Sequence, residues 1–285
     1  MKYKLAFSCL LAVSLLACNT SKKTTVVQTE TAKLPAEELE PELPVSPYRA
    51  SNTMTNDLKD TRLEVSFDWD KIWMYGKATL TIKPHFYPVN HVDLNARGMQ
   101  VNEVSLVTAN GKQRLQYKYE SDSLKIDLDR FYNRNETYQL YIDYIAKPNE
   151  LKSLGGSAAI SSDKGLYFIN ADGKIKDKPQ QIWTQGETQS NQVWMPTIDS
   201  PNQRMTQEIS MTVDTAFVTL SNGLLISSKN NGNGTRTDIW KQSLPAAPYL
   251  TMMAVGKYAI VKDKWRDKEV SYYVYPEYKD DARAV

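Results

Sequence analysis

The side chains best suited to chemistry are few and unevenly placed. The 285 residues include two histidines, His85 and His91, and two cysteines, Cys9 and Cys18. The histidines sit in the run HFYPVNH, with Pro88 between them. They are not at the i, i+4 spacing that puts two ligands on one helical face, and neither is followed by a glutamate placed to act as a base. A two-histidine metal site across a turn is one reading; surface or strand-end histidines are the blander one. No Ser-His-Asp arrangement can be argued, and no Gly-rich phosphate loop occurs. Cys18 has a more distinctive setting. Lys2 and Lys4 form a positive start, and Leu5 to Leu16 is apolar apart from Ser8, Cys9 and Ser14. Small Ala17 then precedes Cys18. That order describes a secretory signal, too short to span a bilayer as a mature helix.

The elements that must position any site read as strands. From Asn19 to about Ser46 the chain is rich in Thr, Lys, Glu and Pro, with almost no large apolar residue. This is the composition of a solvated, flexible linker. From Tyr48 onward, apolar residues recur every second position: Leu63, Val65 and Phe67, then Ala78, Leu80 and Ile82. Val104 and Leu106 lead into Asn110-Gly111, a hairpin signal, with Leu115, Tyr117 and Tyr119 returning from it. Leu124 to Leu128, Tyr138 to Tyr144 and Ile209 to Val213 continue the pattern, as do Leu250, Met252, Ala254, Tyr272 and Val274. Asn222-Gly223 and Asn231 to Gly234 mark two further turns. Roughly a dozen short strands at hairpin spacing predict an all-β fold, an antiparallel β-sandwich.

Charge and cysteine count exclude some functions. Lys2 and Lys4 lie in the segment to be removed, so the formal net charge of +2 falls to near zero in the processed chain. A nucleic-acid binder needs a basic stripe, which argues against that partner. Loss of Cys9 leaves Cys18 alone, so neither a disulfide framework nor a cysteine metal site can form.

Two resemblances sharpen this. Leu15-Leu16-Ala17-Cys18 resembles the lipobox of bacterial lipoproteins, in which the cysteine is acylated and becomes the first mature residue. The resemblance implies a protein exported to the bacterial cell envelope and held to a membrane through Cys18. The second lies in QIWTQGETQSNQVWMPTIDSPNQRMTQE, Gln181 to Glu208. It resembles the aminopeptidase N family of zinc metallopeptidases, whose amino-terminal domain carries Gln-x-Glu, a bulky residue near Pro, Asp-x-Pro and a basic residue. Here these are Gln185 and Glu187, Trp194 and Pro196, Asp199 and Pro201, and Arg204. Gln192 and Thr197 depart from the family's usual Arg and Cys. FVTLSNG, from Phe217, and YYVYPEYKDDARAV, from Tyr272, are similar to later family segments.

The resemblance implies a saddle-shaped all-β amino-terminal domain leading to an α-rich, thermolysin-like catalytic domain. The expected domains are a signal peptide at 1–17, a linker at 18–46, the β-sandwich at 47–265 and a crossing segment at 266–285. Glu187 would anchor the free amine of a peptide substrate, with Gln185 beside the first side-chain pocket. A fixed carboxylate suits that task, because its charge-assisted bond to an ammonium far exceeds what a neutral peptide nitrogen gains. Asp199 in Asp-Ser-Pro reads instead as turn chemistry, and Trp194 as core or pocket wall. Zinc, its His-Glu-x-x-His helix and the Gly-x-Met-Glu-Asn segment would belong to the complete enzyme. None of these ligands is in this chain, which would bind no metal and be inactive alone. A downstream catalytic domain is then an expected partner, whether truncated here, lost by a gene break or supplied as a separate chain. The rival reading is a non-catalytic lipoprotein module, a β-sandwich used for binding or scaffolding.

Overall fold

Period-two alternation builds strands whose apolar side faces one core. The structure, a computed structural model, describes residues 53–120, 122–151 and 163–283. Cys18, the expected signal peptide and the expected linker lie outside the described residues. Seventeen strands are present among them. They are β1 (Asn56–Asp68), β2 (Trp73–Pro84), β3 (Val89–Asn95), β4 (Met99–Thr108), β5 (Gly111–Arg114) and β6 (Tyr117–Glu120). The chain continues through β7 (Ser123–Tyr132), β8 (Tyr138–Ala146), β9 (Leu166–Ile169), β10 (Gln181–Thr184), β11 (Met205–Asp214) and β12 (Val218–Ser221). It ends with β13 (Leu224–Asn230), β14 (Thr235–Ala246), β15 (Met253–Gly256), β16 (Ala259–Trp265) and β17 (Lys268–Val274).

Eight strands form one sheet in the order β13-β14-β11-β1-β2-β8-β4-β5. Smaller sheets run β12-β15-β10-β9 and β3-β7-β6, and β16 and β17 pair as a hairpin. Ala78, Leu80 and Ile82 of β2 and Leu140 and Ile142 of β8 are fully buried. The same contiguous core takes Val92, Leu124 and Ile126 from the three-stranded sheet and Ile182, Met253 and Val255 from the four-stranded one. All pairings are antiparallel except β1 with β11, which runs parallel from Asp60 opposite Thr206 to Ser66 opposite Thr212. A parallel partner demands a long crossover, and most of the domain lies between these two strands.

Three local readings change. The return from Asn110-Gly111 is not one strand. β5 pairs with β4 in the large sheet, and after Leu115 the chain changes sheets so that β6 pairs with β7. Leu250, Met252 and Ala254 do not form one buried row. Leu250 is half exposed in a 3-10 turn, while Met253 and Val255 are the fully buried residues of β15. Finally, residue 266, the first of the expected crossing segment, occupies the turn of the β16–β17 hairpin with a φ of 59°.

Candidate functional site

The Gln185–Glu187 loop leaves the end of β10 and is fixed by its backbone. Gln185 N–H donates to the Gly165 carbonyl at 2.9 Å, and Ser190 N–H donates to the Gly186 carbonyl at 2.8 Å. Gly165 has a φ of +66°, and a Cβ there would lie 2.0 Å from the Ser190 carbonyl oxygen. Only glycine accommodates both. A 3-10 turn, Asn191–Val193, follows directly.

Asn191 ties this loop to a distant one. It is fully buried. Its Nδ2 donates to the Pro248 carbonyl at 2.7 Å and the Thr251 carbonyl at 3.0 Å, while its Oδ1 accepts from Trp194 Nε1 at 2.7 Å. Trp194 is buried as expected, and its carbonyl accepts from Tyr144 Oη at 2.9 Å. Asp199 secures the other flank. Its carboxylate accepts the Gln192 backbone N–H at 3.1 Å, its carbonyl accepts from Gln189 Nε2 at 2.9 Å, and its own N–H donates to Asn95 Oδ1 at 2.9 Å. The turn role expected for Asp199 is therefore that of a buried clasp.

Upon this frame Glu187 stands exposed. Its carboxylate has no hydrogen bond or ion pair to any described residue. With Thr188, Gln189, Pro201 and Tyr249 it lines an open depression of about 340 Å³. Gln185 is half-buried and does not line that depression. The histidines stay apart from it: His85 packs its ring edge against Phe86 at 4.4 Å, and His91 is exposed on β3. Among the described residues no group of three or more His, Cys, Asp or Glu side chains could hold a metal ion.

Asp199 gives a testable electrostatic signature. Burial pushes its carboxyl up from 3.8 to about 6, against the opposing pull of the Gln192 and Asn191 backbone N–H groups. In the folded protein it keeps its proton to a higher pH than in the unfolded chain. Its contribution to stability therefore falls as pH rises from about 4 to 6 and is flat beyond. An Asp199→Asn variant lacks that slope. Urea titrations of both proteins at several pH values should show the variant gaining on the wild type by about 2–3 kcal/mol over that interval. A pH-independent difference would mean that Asp199 titrates normally.

The sequence pattern of the Peptidase M1 N-terminal domain matches residues 55–250. The chain belongs to that family. Leucine aminopeptidase 2 of Vanderwaltozyma polyspora is 25% identical over 223 residues, covering 76% of this chain and 30% of the relative. Transcription initiation factor TFIID subunit 2 of Gallus gallus is 27% identical over 135 residues, covering 45% of this chain and 12% of the relative. Among solved structures, the M1 zinc metallopeptidase of Deinococcus radiodurans superimposes with a TM-score of 0.62 at 17% identity, over 77% of this chain and 47% of that one. A mutant of a two-domain M1 zinc metallopeptidase bound to L-arginine gives 0.63 at 17% identity, with the same coverage. The chain thus spans under a third of these curated relatives and about half of the solved ones. At such identity the structural likeness is one of fold. It bears out the β-rich architecture of an M1 amino-terminal domain.

Reading the sequence alone missed Asn191, Gly165 and Tyr249. The two carbonyls that Asn191 Nδ2 bonds lie 57 and 60 residues away, so no local spacing marks its role.

Proposed function

We propose that this domain binds the free α-ammonium of a peptide on Glu187, as the amino-terminal part of a zinc aminopeptidase that removes amino-terminal residues. The observation carrying this is an exposed carboxylate with no partner of its own among the described residues, held at an open depression by a buried frame. A carboxylate already paired with an arginine would have little left for a ligand; this one has no partner among the described residues to compete with an incoming cation. Gln185 lies beside the first side-chain pocket and contributes to binding there. Zinc does not fit the residues described here, since no ligand group gathers among them. The metal and the bond-breaking step belong to the rest of the enzyme, and this chain contributes binding. Cys18, through its lipobox-like setting, tethers the enzyme to the cell envelope.

Glu187→Gln in the complete enzyme tests the anchor, because it keeps shape and removes charge. kcat/KM should fall roughly ten- to a hundredfold, the worth of one charge-assisted hydrogen bond. Thermal stability and zinc content should hold, and discrimination against amino-blocked substrates should shrink. Wild-type kinetics in the variant would reduce Glu187 to a loop residue. The second reading, a non-catalytic scaffold, draws on the likeness to a transcription initiation factor. A reading frame that continues past Val285 into His-Glu-x-x-His decides for the enzyme.

A further inference from the structure

Apolar side chains exposed together on a folded domain mark a surface that meets something else. At one end of this domain Phe86, Tyr87 and Phe131 are 60%, 83% and 61% exposed. Phe86 and Tyr87 occupy the four-residue connection HFYP between β2 and β3, bounded by Pro84 and Pro88. Phe131 precedes Tyr132, which pairs with Val89 at the start of β3. The three residues therefore lie at one edge, where β3 begins and β7 ends.

Three further observations say what covers this tip. The first is where the chain enters the domain. His85 N–H donates to the Thr55 carbonyl at 2.9 Å, and Asn56 at the start of β1 pairs with Pro84. The aromatic loop is thus bonded directly to the first described residues, the point to which any amino-terminal tether leads. The second is charge. Arg134 lies over the Phe86 ring at 5.8 Å and forms no ion pair with a described residue, and Lys83 likewise has none. The nearby carboxylates are engaged: Glu136 takes Arg130 at 2.8 Å and Asn133, and Asp129 takes the Tyr132 hydroxyl at 2.9 Å. The third is composition. Phe and Tyr with flanking Arg and Lys are the residues that partition into the interface of a bilayer, ring toward the acyl region and cation toward the phosphates.

We infer that the Phe86–Tyr87–Phe131 tip is a contact for an anionic lipid surface. It acts in addition to the acyl tether and sets the orientation of the domain on the membrane. This rests on the reading of Cys18 as a lipid anchor, but it adds a second, protein-borne contact to that anchor. A second weak contact on the same molecule adds to the hold of the acyl anchor, because the tether keeps the tip at high local concentration. The other exposed apolar run, Leu224 to Ile226 on the edge strand β13, has no such link to the entering chain.

The experiment separates tip from tether. The chain from residue 18 onward carrying Cys18→Ala has neither acyl group nor thiol, so one new cysteine can be labelled with an environment-sensitive dye. Labels at Tyr87→Cys and at Ile226→Cys are compared on vesicles of phosphatidylethanolamine and phosphatidylglycerol. The Tyr87 label should shift to the blue, and the Ile226 label should stay as in buffer. Vesicle partitioning of the unlabelled protein should drop roughly tenfold or more in a Phe86→Ser, Tyr87→Ser, Phe131→Ser triple variant. Circular dichroism confirms that the triple variant remains folded. Equal shifts at both labels, no shift at either, or a Tyr87 shift that follows protein concentration without lipid would each overturn the inference. The last outcome would assign the tip to self-association. Acylation is scored apart, by fatty-acid incorporation into wild-type and Cys18→Ala chains in cells, so the tether can fail while the tip stands, or the reverse.

Discussion

Replacing Asn191 by leucine should lower stability by about 3–5 kcal/mol, read as a lower urea midpoint at unchanged slope. Leucine shares the branched heavy-atom outline of asparagine, so the loss is chiefly one of polar partners. Two buried groups are stranded at once, the Thr251 carbonyl and Trp194 Nε1, while the Pro248 carbonyl loses one of its two donors and keeps the Thr251 N–H at 2.9 Å. Each unsatisfied group costs about 1–3 kcal/mol, and some relief from entering water keeps the total below the plain sum. An Asn191→Asp variant sharpens the test. It retains the acceptor for Trp194 but turns a carboxylate oxygen toward two carbonyls, so it should be at least as destabilised despite being nearly isosteric. A midpoint matching the wild type in both variants would show that the 185–194 loop and the 248–251 turn hold together without this residue.

What the sequence discloses and what it hides follow from range. β2 and β8 were legible because one face of each is buried and the other solvated. Ala78, Leu80 and Ile82, and Leu140 and Ile142, then stand out against Lys77, Thr79, Gln139 and Asp143. β15 was misphased for the opposite reason. All four of its residues are buried, so alternation carries no information and the run from Leu250 could not be set in register. The change of sheet at Leu115 was hidden because a strand that bends between two sheets keeps its alternation throughout. At the site, Gln185 and Glu187 were reachable only through resemblance, since a Gln-x-Glu has no period or partner to mark it. What makes Glu187 a candidate is its frame, and that frame consists of long-range hydrogen bonds from Asn191, Asp199 and Asn95. Local pattern does not encode them.

Gly186→Ala should damage the site through space alone. Gly186 has no left-handed φ, so alanine meets no dihedral penalty there. Space alone decides. A Cβ at this position would lie 2.2 Å from the Tyr249 carbonyl oxygen and 2.6 Å from Asn191 Nδ2. A flexible side chain could yield, but the nearest atom is backbone in the 3-10 turn that Asn191 itself pins. Overpacking of this kind typically costs about 1–3 kcal/mol. The upper end is expected here, because relief requires the two loops to part. Glu187 and Tyr249 lie on opposite sides of that contact and line the same depression. Separating them should lower kcat/KM in the complete enzyme even at temperatures where the variant is fully folded. Combining it with Asn191→Ala locates the clash. That change removes the Asn191 contact and leaves the Tyr249 carbonyl in place, so the double variant should remain less stable than Asn191→Ala alone. If instead the double variant matched Asn191→Ala, the methyl group would be pressing on Asn191 only. Glu187 would then not depend on the approach of the Tyr249 turn.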